Sequence, residues 1–220
     1  VKPKLILVGA GGHAKVVADA ILEAGGYELL GFLDNDSSKW GAQLLDWPVL
    51  GGDEYLLDRP LDAAEHFLVA IGGHRSTALR VSLYSRFLAG GFSPATVIHP
   101  AATVSKFSLI GRGSVVLPQG VIQAGAIVGS NVIVNTGAII EHDAQVGDHV
   151  QLSPRSTLTA GVVVRDRAFI GAGAVVLPFR TVGEGAIVGA GAVVTRDVQE
   201  CETVVGVPAR PLDPRGSKSQ

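Results

Sequence analysis

The 220-residue chain has a single cysteine, Cys201, so neither a disulfide framework nor a cysteine-based zinc site is open to it. Aromatic residues are scarce at 5% and charged residues modest at 17%, while glycine occupies 29 positions. That balance fits tightly stacked β-coils with a turn at every corner. There is no basic excess. The formal net charge of −2 argues against a nucleic-acid partner, which would need a basic stripe. No apolar run approaches the roughly 18 residues of a membrane-spanning helix. Val1-Lys2-Pro3-Lys4 leads directly into Leu5–Val8 without the longer apolar region of a signal peptide, so a soluble cytoplasmic protein is expected. The length allows one large domain or two small ones.

What the chain has in abundance is a repeat. From Val104 to Val194 every sixth residue is Val, Ile or Leu, and four residues after each comes Ser, Gly, Ala or Val, with Arg180 the one exception. A period of six suits neither an amphipathic helix nor an alternating strand. It predicts a parallel β-helix of hexapeptide repeats, each coil burying its aliphatic residues against the coils above and below. If three repeats make one triangular coil, residues eighteen apart lie one above the other.

The preceding region reads differently. Leu5–Val8, Leu29–Leu33, His66–Ile71 and Ala95–Ile98 are strand-like; Ala14–Leu22, a short stretch near Asp53–Leu57, and Arg75–Ala89 are helical. Alternating strands and helices predict a small parallel sheet covered by helices. The boundary is expected at His99-Pro100, giving an α/β domain over 1–99, a β-helix over 100–210 and a polar tail over 211–220.

Gly9-Ala10-Gly11-Gly12-His13-Ala14 matches the G-x-G-x-x-[GA] fingerprint between a strand and a helix, with Asp34 near the expected acidic position. Such a turn lets backbone approach a diphosphate at a helix N-terminus. It favours a nucleotide over NAD, because a dinucleotide needs two mononucleotide halves and this domain has about one. A tight packing turn is the plainer alternative. His13, on that turn, is a candidate substrate contact, and His74 a weaker one.

Glu141-His142-Asp143 places a histidine between two carboxylates at a coil corner. His142 lies two residues beyond the inward Ile140 and should point outward, with Ala124 and Ala160 as its coil neighbours. Either acid can hold one ring nitrogen and fix the tautomer. Gln145, Gln151 and Thr157 are successive polar residues where apolar ones are usual, and are expected to form a polar wall beside His142. A solvated turn histidine is the competing reading; His149 is expected to be one.

Together, the Gly9–Val17 turn, Phe32-Leu33-Asp34, the hexapeptide array with Glu141-His142-Asp143, and Val205-Gly206-Val207-Pro208-Ala209 resemble a bacterial family of sugar O- and N-acyltransferases. Its members join a nucleotide-sugar-binding, Rossmann-like domain to a left-handed β-helix; they include nucleotide-linked 4-amino-sugar N-acetyltransferases and sialic acid O-acetyltransferase-like proteins. The resemblance implies a homotrimer with sites at subunit interfaces, acetyl-CoA as donor and no metal. It implies His142 as catalytic base, Asp143 as the orienting acid and Glu141 in support. It implies Gly11, Gly12, His13, Asp34, Asn35 and Gly72 as the nucleotide-sugar pocket. Gln151, Ala172 and Ala190 would contact acetyl-CoA, with Gln151 standing where some members carry histidine.

The expected activity is acetyl transfer to the amino group of a nucleotide-linked amino-dideoxy sugar in surface-glycan or glycoprotein biosynthesis. The alternatives are O-acetylation of a sugar or sialic acid, and a nucleotide-binding oxidoreductase or sensor on a structural β-helix.

Overall fold

The computed structural model describes residues 1–57, 65–73 and 77–212. Its N-terminal part is a sheet of β1 (Lys4–Val8), β2 (Glu28–Leu33), β3 (Gln43–Leu44), β4 (Trp47–Gly51), β5 (Glu65–Val69) and β6 (Ser93–Pro94) in the order β3-β4-β2-β1-β5-β6. All neighbours are parallel except β3 and β4. Helices α1 (Gly12–Ala24), α2 (Glu54–Leu57) and α3 (Ala78–Ala89) complete the domain.

Alternation along β1 decides which helix lies on which face. Leu5 and Leu7 join the cluster containing Val17 and Ile21 of α1, whereas Ile6 and Val8 join the one containing Leu83, Tyr84 and Phe87 of α3. β1 is therefore buried on both faces, as a central parallel strand should be.

From Val97 to Val194 the chain is a parallel β-helix of two-residue strands arranged in three faces. Each strand pairs with the one eighteen residues on: Ile122 with Ile140, Ile140 with Leu158. One residue of each strand points inward. All sixteen aliphatic positions of the repeat contribute to one core, with Val104 and Ile110 only partly buried at its lower end. The small residues four positions later fill the corners of the same core, Ala126, Ala138, Ala144 and Ala174 among them. The corners bend through left-handed backbone: Asn131, Asp143, His149, Arg155 and Arg167 have φ between 53° and 61°, and glycine takes the same conformation at Gly125 and Gly137.

The first face carries Val97–Ile98, Val115–Val116, Ile133–Val134, Gln151–Leu152 and the strands above them. Its outward residues Val97, Val115 and Ile133 are buried beneath the N-terminal domain in the cluster that contains α1. Here the expected boundary shifts. Val97–Ile98 pairs with Val115–Val116 as the lowest strand of the β-helix, and the α/β sheet ends at β6, so the anticipated Ala95–Ile98 strand belongs to the other body. Between the second strand and the short second helix, β3 and β4 form a hairpin that the sequence did not signal. The described part of the third helix begins at Ala78; His74, Arg75, Ser76 and the tail from Asp213 lie outside the described residues. Val205–Ala209 makes a compact turn, linking Thr203–Val205 to the antiparallel Arg210–Pro211.

Candidate active site

The parallel strand order reverses at β1, with β2 on one side and β5 on the other, which opens a crevice at the carboxyl ends of the strands. A cavity of about 340 Å³ fills that crevice. Gly9–His13 follow β1, Leu33 ends β2 with Asp34 and Asn35 after it, and Ala70–Gly72 follow β5, and all of them line it. It therefore brings together every expected pocket residue: Gly11, Gly12, His13, Asp34, Asn35 and Gly72.

The glycines divide by task. A Cβ on Gly9 would lie 2.6 Å from Ile71, and its φ is +109°, so Gly9 serves the turn. Around Gly11 and Gly12 a Cβ would meet nothing, so these two border open space. Gly11 caps α1 without a side-chain hydrogen bond, and no acidic residue occupies the first helical turn. The exposed N–H groups and helix dipole there favour an anionic group.

Asp34 is already engaged. Its Oδ2 accepts from the Ala10 N–H at 3.0 Å and from Lys39 Nζ at 2.9 Å, and its Oδ1 accepts from the Asp36 N–H at 3.0 Å. Burial opposes ionisation of Asp34, but the Lys39 bond and the two N–H groups outweigh it and hold the carboxyl below its usual range. Asn35 exchanges two hydrogen bonds with Asp53, donating to its Oδ2 and accepting from its N–H. Asp53 is buried and takes a 2.9 Å ion pair from Arg86. Asp34 and Asn35 thus shape the wall through their own partners.

His13 packs on Gly72, and its Nε2 is buried without a hydrogen-bond partner. Burial, assisted by the Arg80 charge, lowers its pKa to about 4, so the ring is neutral at pH 7.

His142 stands on another side of the molecule, at the corner between the second face (Ile139–Ile140) and the third (Gln145–Val146). Its side chain is 58% exposed, and its Nδ1 lies 2.9 Å from Asp143 Oδ2. Glu141 instead accepts from the His142 backbone N–H at 3.3 Å. The left-handed backbone of Asp143 (φ 60°) brings its carboxylate down over Gly125, where a Cβ would come within 2.4 Å of Oδ1. Ala124 and Ala160 are stacked neighbours as expected: the Asp143 N–H bonds to Ala124 O, and the Gly161 N–H to His142 O.

The polar wall does not exist. Gln145, Gln151 and Thr157 fall on the third, first and second faces respectively, because one hexapeptide advances the chain by one face. Gln151 is buried at the domain junction, where its Oε1 accepts the Gly73 N–H at 2.9 Å. Its side chain is committed to the N-terminal domain. Ala172 and Ala190 are exposed and stacked at the corner between first and second faces, joined by a 2.8 Å bond from the Gly191 N–H to Ala172 O. Within one chain the nucleotide-type cavity, His142 and the alanine corner therefore lie apart. Nor is His149 simply solvated: it is half-buried, edge-on to Tyr84, and its Nδ1 is 2.9 Å from Asn131 Nδ2.

Sequence reasoning also missed Asp53, Lys39 and Arg80. Arg80 had a legible signal, since Arg80, Leu83, Tyr84 and Phe87 share the buried stripe of α3, where an arginine is out of place. Among the described residues no group of three or more His, Cys, Asp or Glu is placed to hold a metal, and no helix is long and apolar enough to cross a membrane.

Comparison with known proteins agrees with this arrangement. Residues 4–87 match the PglD N-terminal domain, and residues 161–196 the bacterial transferase hexapeptide family of six repeats. The acetyltransferase domain of PglB from Neisseria gonorrhoeae FA1090 is 38% identical, with coverage of 96% of this chain and 100% of that one at a TM-score of 0.88. The chain belongs to the sugar acyltransferase family that couples a PglD-type N-terminal domain to a hexapeptide β-helix.

Another family structure, PerB from Caulobacter crescentus in complex with CoA and GDP-perosamine, is 36% identical, covering 96% of this chain and 97% of that one at a TM-score of 0.87. A curated relative, the UDP-N-acetylbacillosamine N-acetyltransferase of Bacillus subtilis (strain 168), is 37% identical over 119 residues. That alignment spans about 50% of the relative and 50% of this chain.

Proposed function

We propose that this protein is an acetyl-CoA-dependent N-acetyltransferase acting on the amino group of a nucleotide-linked amino-dideoxy sugar. The observation that carries this reading is the His142–Asp143 pair at a coil corner. With Nδ1–H donated to Asp143, the tautomer leaves a lone pair on Nε2, directed away from the carboxylate. A thioester is already activated, so transfer needs placement and one proton acceptor. As the amine attacks the thioester carbonyl, the C–N bond forms and His142 Nε2 accepts the amine proton. The C–S bond then breaks, and the same proton is available to the departing CoA thiolate. Acetyl-CoA is a co-substrate here, and no step calls for a metal.

The cavity holding Gly11, Gly12 and His13 suits the nucleotide, with the uncapped start of α1 toward its diphosphate. Ala172 and Ala190 offer backbone groups at an exposed corner for acetyl-CoA. Because these three features lie apart in one chain, a working site needs groups from more than one copy, which supports a homotrimer. The third face supports it too. Outward-pointing Leu109 is 66% exposed, Ile127 47%, and the nearby Phe107 69%, an apolar strip suited to burial against another copy. A cytoplasmic enzyme is the reading consistent with acetyl-CoA as donor.

The deciding experiment is thiol release from acetyl-CoA against UDP-, dTDP- and GDP-linked amino sugars, with free sialic acid included as a hydroxyl acceptor. A base-stable amide product supports the proposal. A base-labile ester, or no thiol release with any acceptor, overturns it.

A further inference from the structure

Helix α3 faces two ways. Leu79 and Leu83 line the nucleotide-type cavity, while three other side chains reach the corner between the third and first faces of the β-helix. Tyr84 Oη donates to Arg112 O and Thr77 Oγ1 to Arg167 O, each at 3.3 Å. Between them the Arg80 guanidinium forks, donating from Nη1 to Asn131 O and from Nη2 to His149 O. These carbonyls belong to four successive coils. The seven residue steps from Thr77, the N-cap of α3, to Tyr84 rise roughly 10 Å as a helix, whereas three coil steps rise roughly 14 Å. A two-pronged side chain bridging two coils makes up the difference, which a single-headed lysine cannot do as well.

The arginine is costly where it stands. It is 2% exposed, no carboxylate among the described residues pairs with it, and its Nε has no hydrogen-bond partner. A charge desolvated in this way is a poor device for stability alone, since an apolar side chain could fill the same space. Asn131 reinforces the junction by donating from Nδ2 to Arg80 O at 3.5 Å. Close by, Gln151 fastens Gly73, whose neighbour Gly72 forms part of the cavity and supports His13.

We infer that Arg80 is a positioning residue for acetyl transfer: by clamping α3 across two coils it sets where the nucleotide-sugar cavity stands relative to the β-helix. The inference rests on the acetyltransferase reading above. Its signature is a split between binding and turnover. The nucleotide would still enter its cavity when Arg80 is changed, but the attached sugar would be delivered out of place, where a displacement of about 1 Å can cost on the order of a hundredfold in rate.

The test uses the full chain with Arg80→Lys and Arg80→Met. Calorimetry measures binding of UDP, dTDP and GDP, and steady-state assays measure kcat and the KM for acetyl-CoA. Expected are nucleotide affinity and acetyl-CoA KM within about twofold of wild type, with kcat lowered at least about tenfold in both variants. Unchanged kcat, nucleotide affinity lost in parallel with kcat, or failure of both variants to fold would overturn the role. Wild-type protein that transfers acetyl to none of the nucleotide amino sugars sinks the acetyltransferase reading itself. An active wild type with a fully active Arg80→Lys variant sinks only the role of Arg80.

Discussion

The Nδ1 of His142 lies 2.9 Å from Asp143 Oδ2, while the neighbouring Glu141 carboxylate is turned to a backbone N–H. One of the two flanking acids therefore orients the imidazole and the other does not. His142→Asn should lower kcat by about 10²–10⁴-fold, the usual yield of a general base. Asp143→Asn should lower it by at least about tenfold through loss of the tautomer lock, and Glu141→Gln should leave it within about threefold. Thiol-release kinetics rank the three. A Glu141 variant as impaired as the Asp143 variant would contradict the assignment.

His13 makes stability depend on pH. Its folded pKa is about 4, depressed from 6.5, so between those values the unfolded chain binds more protons than the native one. The stabilisation from keeping this ring neutral is complete above pH 6.5 and is lost as pH falls toward 4. Urea midpoints should drop between pH 7 and pH 5, and His13→Gln should flatten that slope. An unchanged slope would show that other groups govern it.

Gly12 and Gly9 separate binding from folding. Gly12→Val adds a side chain into open space at the start of α1, so melting temperature should hold while nucleoside diphosphate binding weakens by about tenfold or more. Gly9→Ala drives a Cβ into Ile71 at a φ of +109° and should lower the melting temperature instead.

In the β-helix core, Ser156 occupies a corner otherwise held by Ala138 below and Ala174 above, and its buried Oγ has no partner. Ser156→Ala should stabilise the fold by about 1 kcal/mol, because an unsatisfied hydroxyl is removed from a dry site. Leu158→Ala, at a fully buried inward position, should destabilise it by about 2–5 kcal/mol. Calorimetric melts of both variants provide the check.

The repeat was the most legible part of the chain because each coil applies the same rule: one aliphatic residue inward, one small residue at the corner. The glycine turn was legible for a similar reason, since local backbone freedom and a strand-to-helix junction determine it. Relationships across bodies were not. Gln151 breaks the outward pattern visibly, but only the stacking of an α/β domain on the first face reveals that Gly73 is its partner. Hydrophobic periodicity likewise marks Val97–Ile98 as a strand without saying which sheet it joins; pairing with Val115–Val116 decides that. Asp34 and Asn35 stand out at the end of a strand, but their partners Lys39 and Asp53 lie in segments that carry no local motif, and only the structure brings them together.

The mismatch between α3 and the coils has an evolutionary consequence. The two periodic elements mesh like the scales of a vernier, joined by hydrogen bonds to four successive coils from Arg112 to Arg167. Gain or loss of an eighteen-residue unit between those carbonyls would throw the whole docking surface out of phase. Above Arg167 a cavity is shared by Thr77, Ala78, Val81 and Ser82 with Gly185, Ile187 and Cys201, so the β-helix can lengthen beyond that level without disturbing the four hydrogen bonds. Variation in coil number among relatives is expected to be confined to that upper end.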